Sequence, residues 1–263
     1  MEYMVKRTIP VVCFVANFKY LYKNFPRLYE QLRTNGNYKN EVLVITTLTC
    51  PTFLIKYLNR KNNVTIFRFK KIKFDKLTEK SLLDLKVEVN RHKTKNFQWH
   101  KLYLFHTRLK KYSYIFYMDI NMNIHHDINN LLKKIPNDNL LARADGYPTY
   151  KWKLKSQFDN SHPGFSGLAS NVNLEITNYF QTGVLYYDTQ IIDIETLNDI
   201  LLLVKKYPFS KTNEQGILNL YFIFNKNKYR ELIEVVDDRV SYFYWKLPNK
   251  EVIITKALTT KNK

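Results

Sequence analysis

The 263-residue sequence predicts an α/β domain with a mostly parallel central sheet and helices on both faces. Three observations lead there. Continuous, β-branched apolar runs of strand length recur through the first half of the chain. Segments with apolar residues at helical spacing separate them. No internal repeat, low-complexity tract or linker interrupts the pattern, so residues 1–263 are read as one domain.

TIPVVCFVA (8–16) has the length and continuity of a buried strand. FPRLYEQLR (25–33) follows with helical spacing and stops at TNGN. EVLVITT (41–47) is a second strand, TFLIKYLNR (52–60) a helix after Pro51, and VTIFRF (64–69) a third strand. Residues 77–110 carry helical segments, the clearest being QWHKLYLFHTRL (98–109). YSYIFYMD (112–119) is a fourth strand and INNLLKKI (128–135) a short helix. LLARADGY (140–147) reads as a strand and turn, and 148–178 as an irregular polar and aromatic region. YFQTGVLYYD (179–188) is a strand, and IETLNDILLLVKKY (194–207) and NEQGILNLYFIF (213–224) are helices. SYFYWKL and EVIITKAL close the chain.

Alternating strands and helices place ligands outside the carboxyl ends of the strands. Asp119 and Asn121 stand at such an end, in YIFYMDINMNI (114–124). An unpaired carboxylate inside a run covered on both faces costs on the order of several kcal/mol. Either the strand ends there or Asp119 has a partner, and both residues are expected to face a cleft.

Hydrophobic residues make up 45% and aromatics 15% of the chain, which excludes a disordered polypeptide. The net charge of +19 is compatible with nucleic acid, phosphorylated substrates, an anionic membrane surface or a solvated Lys-rich exterior. It is spread along the chain, at 68–76, 93–95 and 153–155, rather than gathered in a tail. Cys13 and Cys50 make neither a disulfide framework nor a metal-binding pair. No apolar stretch approaches ~20 residues, so no transmembrane helix is expected. The N-terminal apolar run reads as the first strand rather than a signal peptide. The chain reads as a soluble protein of a reducing compartment, with cytoplasmic location expected. The scattered histidines, His92, His100, His106 and His162, read as structural, and at most one of His125 and His126 can join a site.

An Asp-x-Asp pair at a strand end can hold Mg²⁺ or Mn²⁺ against a diphosphate. Here the pair is Asp119 and Asn121, so one oxygen ligand lacks charge. YSYIFYMDINMNIHHDINNLL resembles the corresponding segment of family 8 glycosyltransferases, where a Tyr-rich strand leads into LDADxxV. WHKLYLF, RAD, YFQTGVLYYD and NEQGILNLYF resemble that family's further motifs in the same order, the last close to the glycogenin form. The likeness runs across roughly residues 8–256.

The resemblance implies a GT-A fold, a nucleotide-sugar donor such as a UDP-sugar, a Mn²⁺ or Mg²⁺ ion and a glycan, lipid or protein acceptor. It makes Asp119 and Asn121 metal-side residues and places Lys101 on the donor phosphate or sugar. It gives Asp145 to the sugar hydroxyls, Thr182 and Gly183 to the sugar pocket, and Glu214 and Gln215 to the anomeric region. Tyr20 or Tyr22 is available to stack on the base. Asp145 and Glu214 are the candidates for acid/base work, and retention at the anomeric carbon is implied. A homodimer also follows from the family's habit, and the composition resembles glycosyltransferases of large DNA viruses.

The sequence departs from the family in three places. Asn121 replaces an Asp, and Gln181 replaces an Asn. The family's late metal-ligand His, in a HxxGxxKPW tail, has no counterpart, and Thr255 and Lys256 stand near its place. Lys256 contacting the diphosphate would substitute for the lost charge, while Asp237 and Asp238 read as a solvated pair. Competing readings are a nucleic-acid-binding protein using the basic surface and a sugar-nucleotide-binding relative with weakened catalysis.

Overall fold

The computed structural model describes residues 9–232 and 252–256. Nine strands lie in chain order: β1 (Val11–Val15), β2 (Val42–Thr47), β3 (Val64–Phe69), β4 (Tyr114–Met118), β5 (Met122–Ile124), β6 (Leu140–Ala144), β7 (Phe180–Asp188), β8 (Tyr229–Glu231) and β9 (Ile254–Lys256). The helices are α1 (Phe18–Lys23), α2 (Phe25–Arg33), α3 (Thr52–Asn59), α4 (Lys76–Leu83), α5 (Arg91–Thr94), α6 (Asn129–Leu132), α7 (Phe165–Asn171), α8 (Thr196–Lys206) and α9 (Glu214–Asn219).

Seven strands form one sheet in the order β3-β2-β1-β4-β7-β6-β8. Only β7 runs against the rest, pairing antiparallel with β4 and β6. The sheet is mostly parallel, as expected. Both faces are covered. Along β1, Val11, Cys13 and Val15 enter one apolar cluster, while Val12 and Phe14 enter the other. That alternation is the period of two of a strand buried on both sides. Cys13 is a core thiol, and burial pushes its pKa up.

The helices follow from their spacing. In α2, Phe25, Leu28 and Leu32 fall on one buried stripe, and a proline opens the first turn. Asp75 caps α4, its side chain accepting from Thr78 N at 2.9 Å.

The segment read as helical at 98–109 is helical, but as two 3-10 stretches, Asn96–Phe105 and Thr107–Lys111, rather than an α-helix. Trp99, Leu102 and Phe105 are buried at intervals of three. A helix of three residues per turn aligns them, whereas 3.6 would splay them. The region 148–178 holds more structure than its polar composition suggested, with a 3-10 turn at Leu154–Gln157 and α7 within HPGFSGLASN. Three elements had no clear sequence signal: α1, β5 and β8, all six residues or shorter. SYFYWKL, Trp245, Asp237 and Asp238 lie outside the described residues.

From β1 the chain steps outward to β2 and β3, then returns to place β4 on the other side of β1. In open sheets of this kind, ligands bind at such a reversal, beyond the carboxyl ends of β1 and β4. Because β7 is antiparallel, its first residues lie on the same edge. Val184 pairs with Met118, and Phe180 with Ala144.

Candidate active site at the carboxyl edge of the sheet

Asp119 is the first residue beyond β4, so its side chain leaves the two-sided core while its backbone stays anchored. Its N–H donates to Gly183 O at 2.8 Å. Tyr117, two residues back on the same strand face, donates its hydroxyl to Asp119 Oδ1 at 2.6 Å.

Lys101 reaches the same carboxylate from the 3-10 run. Its Nζ lies 2.9 Å from Asp119 Oδ1 and 3.1 Å from Glu214 Oε1, and it donates to Thr182 O at 3.2 Å. Lys101 is 7% exposed and Glu214 1%, so one buried ammonium serves two carboxylates. Burial alone would lower the lysine pKa, but Asp119 and Glu214 outweigh it and raise it above its usual value. Burial would likewise raise the Asp119 pKa, but Lys101, Lys256 and the Tyr117 bond bring it down to about 2.

Glu214 and Gln215 open α9. Asn213, just before it, holds φ 55° with its side chain tied to Lys95 O at 3.3 Å and Gln98 Oε1 at 3.1 Å. These bonds hold a backbone conformation that L-residues rarely adopt. Thr182 donates its hydroxyl to Glu214 Oε1 at 3.0 Å and its backbone N–H to Gln215 Oε1 at 3.1 Å. Gln215 Nε2 donates to Gln157 Oε1 at 2.9 Å. Gly216 lets α9 approach this closely: a Cβ there would sit 2.6 Å from Ser210 Oγ and 3.2 Å from Phe158 Cζ.

Lys256 arrives from the far end of the chain. β9 pairs antiparallel with β5, in the register Met122 to Lys256. His125 Nε2 and Thr255 Oγ1, 2.7 Å apart, reinforce the pairing. Lys256 Nζ lies 3.4 Å from Asp119 Oδ2.

Lys101, Asp119, Thr182, Gly183, Glu214, Gln215 and Lys256 are therefore one connected cluster. Asp145 follows β6 on the same edge, accepting from Tyr179 OH and Gln181 Nε2. Gln181 precedes Thr182, which links the two groups through β7. Asn121 is half-buried in the turn between β4 and β5 and makes no side-chain hydrogen bond among the described residues. Tyr20 is exposed on α1, beyond the end of β1, with 47% of its surface accessible.

Tyr117, Tyr179 and Gln157 were missed by sequence reasoning. Tyr117 carried a signal, since residues two apart share a strand face. Gln157 carried none, because it sits in the region read as irregular. Of the histidines, His92 accepts from Trp99 Nε1 at 3.0 Å, and His162 stacks on Phe209 with ring centroids 4.5 Å apart. Trp152 is half exposed beside Lys151.

The expected divalent cation does not fit the residues as they stand. Mg²⁺ needs oxygen ligands at about 2.0–2.1 Å. Both Asp119 oxygens already face ammonium groups, and Asn121 contributes no charge. Among the described residues, no three His, Cys, Asp or Glu side chains are placed to share an ion.

No protein-family model matches the sequence. No curated protein matches it either. Solved structures do match in fold. The galactosyltransferase LgtC, determined with donor and acceptor sugar analogues, aligns with 95% of this chain and 87% of its own at TM-score 0.55 and 14% identity. Core-mannan synthase A from Aspergillus fumigatus, in a Mn/GDP form, aligns over 86% and 73% at TM-score 0.54 and 11% identity. Mouse xyloside xylosyltransferase 1 aligns over 96% and 98% at TM-score 0.53 and 10% identity. The chain has the GT-A fold of these glycosyltransferases.

Proposed function

We propose that the protein is a glycosyltransferase that moves a sugar from a nucleotide-sugar, most simply a UDP-sugar, to a glycan, lipid or protein acceptor. One observation carries the reading. The Lys101–Asp119–Glu214 cluster, joined by Lys256, lies on the carboxyl edge of the sheet beside the β1/β4 reversal. Nucleotides bind at that place in sheets of this kind. The GT-A fold and the order of the family 8-like motifs support the same conclusion.

The geometry supports the following roles. As the glycosidic bond to the diphosphate breaks, the leaving group gains negative charge, and fixed ammonium groups stabilise it in a site that need not reorganise. Lys101 and Lys256 supply that charge. Glu214 is buried, and its Oε2 has no partner among the described residues. A buried acceptor without a donor suits a sugar hydroxyl. Asp145, steadied by Tyr179 and Gln181, offers a second carboxylate for sugar hydroxyls. Gln215 is fixed at both ends of its amide, so it lines the anomeric region without serving as a carboxylate nucleophile. Transfer with retention is the outcome implied by the family resemblance. Tyr20, exposed past β1, stacks on the base.

Incubation with a panel of UDP- and GDP-sugars tests this, with nucleotide release and sugar transfer to simple glycosides followed by NMR. One donor should raise the unfolding midpoint and be consumed. No binding or turnover of any donor, together with salt-sensitive binding of RNA or DNA, would replace the reading with nucleic-acid binding.

A further inference from the structure

The misfit between the expected cation and the residues around Asp119 points further. Resting on the glycosyltransferase reading, we propose that the Lys256 ammonium, backed by Lys101, takes the place of a divalent cation, so that this chain binds the donor diphosphate without metal.

Lys256 Nζ and Lys101 Nζ take opposite oxygens of the Asp119 carboxylate, at 3.4 and 2.9 Å. A metal ligated by Asp119 would share one carboxylate with two ammonium groups, three cations in close contact. That arrangement is repulsive in a site this poorly solvated. An ammonium is a compact cation that binds phosphate as a point charge. Held at Asp119 Oδ2, it can meet phosphate oxygens where a bridging ion would.

Position supports the assignment. Lys256 belongs to a paired strand, with Ile254 buried, Thr255 joined to His125 and Met122 opposite. Lys95 adds to the positive field. It lies near enough to Lys256, Asp119 and Glu214 to respond to each, and desolvation, Arg91 and Lys256 lower its pKa. Lys101 and Lys256 contact Asp119, Lys101 also contacts Glu214, and Lys95 stands within electrostatic reach of both carboxylates. This gathering of ammonium groups suits an incoming diphosphate and opposes a further cation.

The test is calorimetric titration of UDP and GDP into the protein, in EDTA and separately in Mn²⁺. One nucleotide should bind in EDTA, and Mn²⁺ should change its affinity by less than about threefold. Lys256→Ala should weaken metal-free binding about tenfold or more, while Lys256→Arg should retain most of it. Unliganded unfolding midpoints show whether each variant folds, and the wild-type comparison needs no variant. Binding that appears only with Mn²⁺ would overturn the inference and leave the glycosyltransferase reading standing. Metal-free binding unchanged in a folded Lys256→Ala protein would reduce Lys256 to a structural ion pair. No binding in either buffer would remove the nucleotide-sugar reading, and this inference with it.

Discussion

Lys256 and Asp119, 137 positions apart in the chain, meet with Nζ and Oδ2 3.4 Å apart. The contact exists because β9 returns beside β5, and β5 follows Asp119 after one tight turn. The His125–Thr255 bond is a side-chain tie beside this pairing. His125→Ala should therefore weaken metal-free UDP or GDP binding by about fivefold, the equivalent of one hydrogen bond of ~1 kcal/mol. The variant should remain folded. An unchanged dissociation constant would show that β9 holds Lys256 without this bond.

Lys101 is the shared counter-ion of Asp119 and Glu214. Lys101→Met leaves Glu214 buried without its cation, a change that costs about 3–5 kcal/mol for pairs of this kind. Urea denaturation should show the loss as an earlier midpoint. The exposed pair Lys155–Glu175, 2.6 Å apart, provides the contrast: Lys155→Ala should leave the midpoint nearly unmoved.

Two glycines should respond oppositely to alanine. At Gly216 the added methyl meets Ser210 Oγ and Phe158, so Gly216→Ala should destabilise by about 1–3 kcal/mol and displace Gln215. At Gly167, within α7, nothing lies within 4 Å of the added carbon. Gly167→Ala should be neutral or stabilising by up to about 1 kcal/mol. Thermal melts of the two single variants distinguish these effects, and equal losses would contradict the packing account.

Acid should destabilise the protein in two stages. Burial lowers the His100 pKa to about 4, so the unfolded chain takes up a proton first, and stability falls as pH drops from about 6.5 towards 4. The full effect is capped at ~3 kcal/mol, at about 1.36 kcal/mol per pKa unit. Asp119, held at about 2, contributes stability that is complete above the ordinary carboxylate range and is lost as pH falls towards 2. His100→Phe should flatten the upper stage and leave the lower one. An unaltered upper stage would assign it to His106 and His125, whose pKa values burial also lowers.

The sequence by itself determined the sheet and most of its cover. Val11–Val15 and residues 42–45 of β2 are continuous apolar runs because inner parallel strands are buried on both faces, whereas the edge strand Val64–Phe69 is half-buried and carries Thr65 and Arg68. Strand length and β-branching therefore sufficed to find them. The same logic marked Asp119, since a carboxylate ending such a run must leave the core or be paired, and it does both. The order of the motifs also selected Lys101, Thr182, Glu214 and Gln215, which the fold brings into contact.

Tertiary structure decided what local pattern does not encode. The 3-10 pitch of Asn96–Phe105 aligns Trp99, Leu102 and Phe105 on the core, a packing that the local pattern of this largely buried segment does not reveal. Gln157 enters the site because α9 packs against its turn, a contact made possible by Gly216. Three-residue strands such as β5 and β9 are too short to show a period, and each forms only because the other pairs with it. That pairing sets Lys256 against Asp119. Sequence could show that one carboxylate and a late histidine of the resembled family were missing, but only the pairing of distant strands could place an ammonium beside the carboxylate that remained.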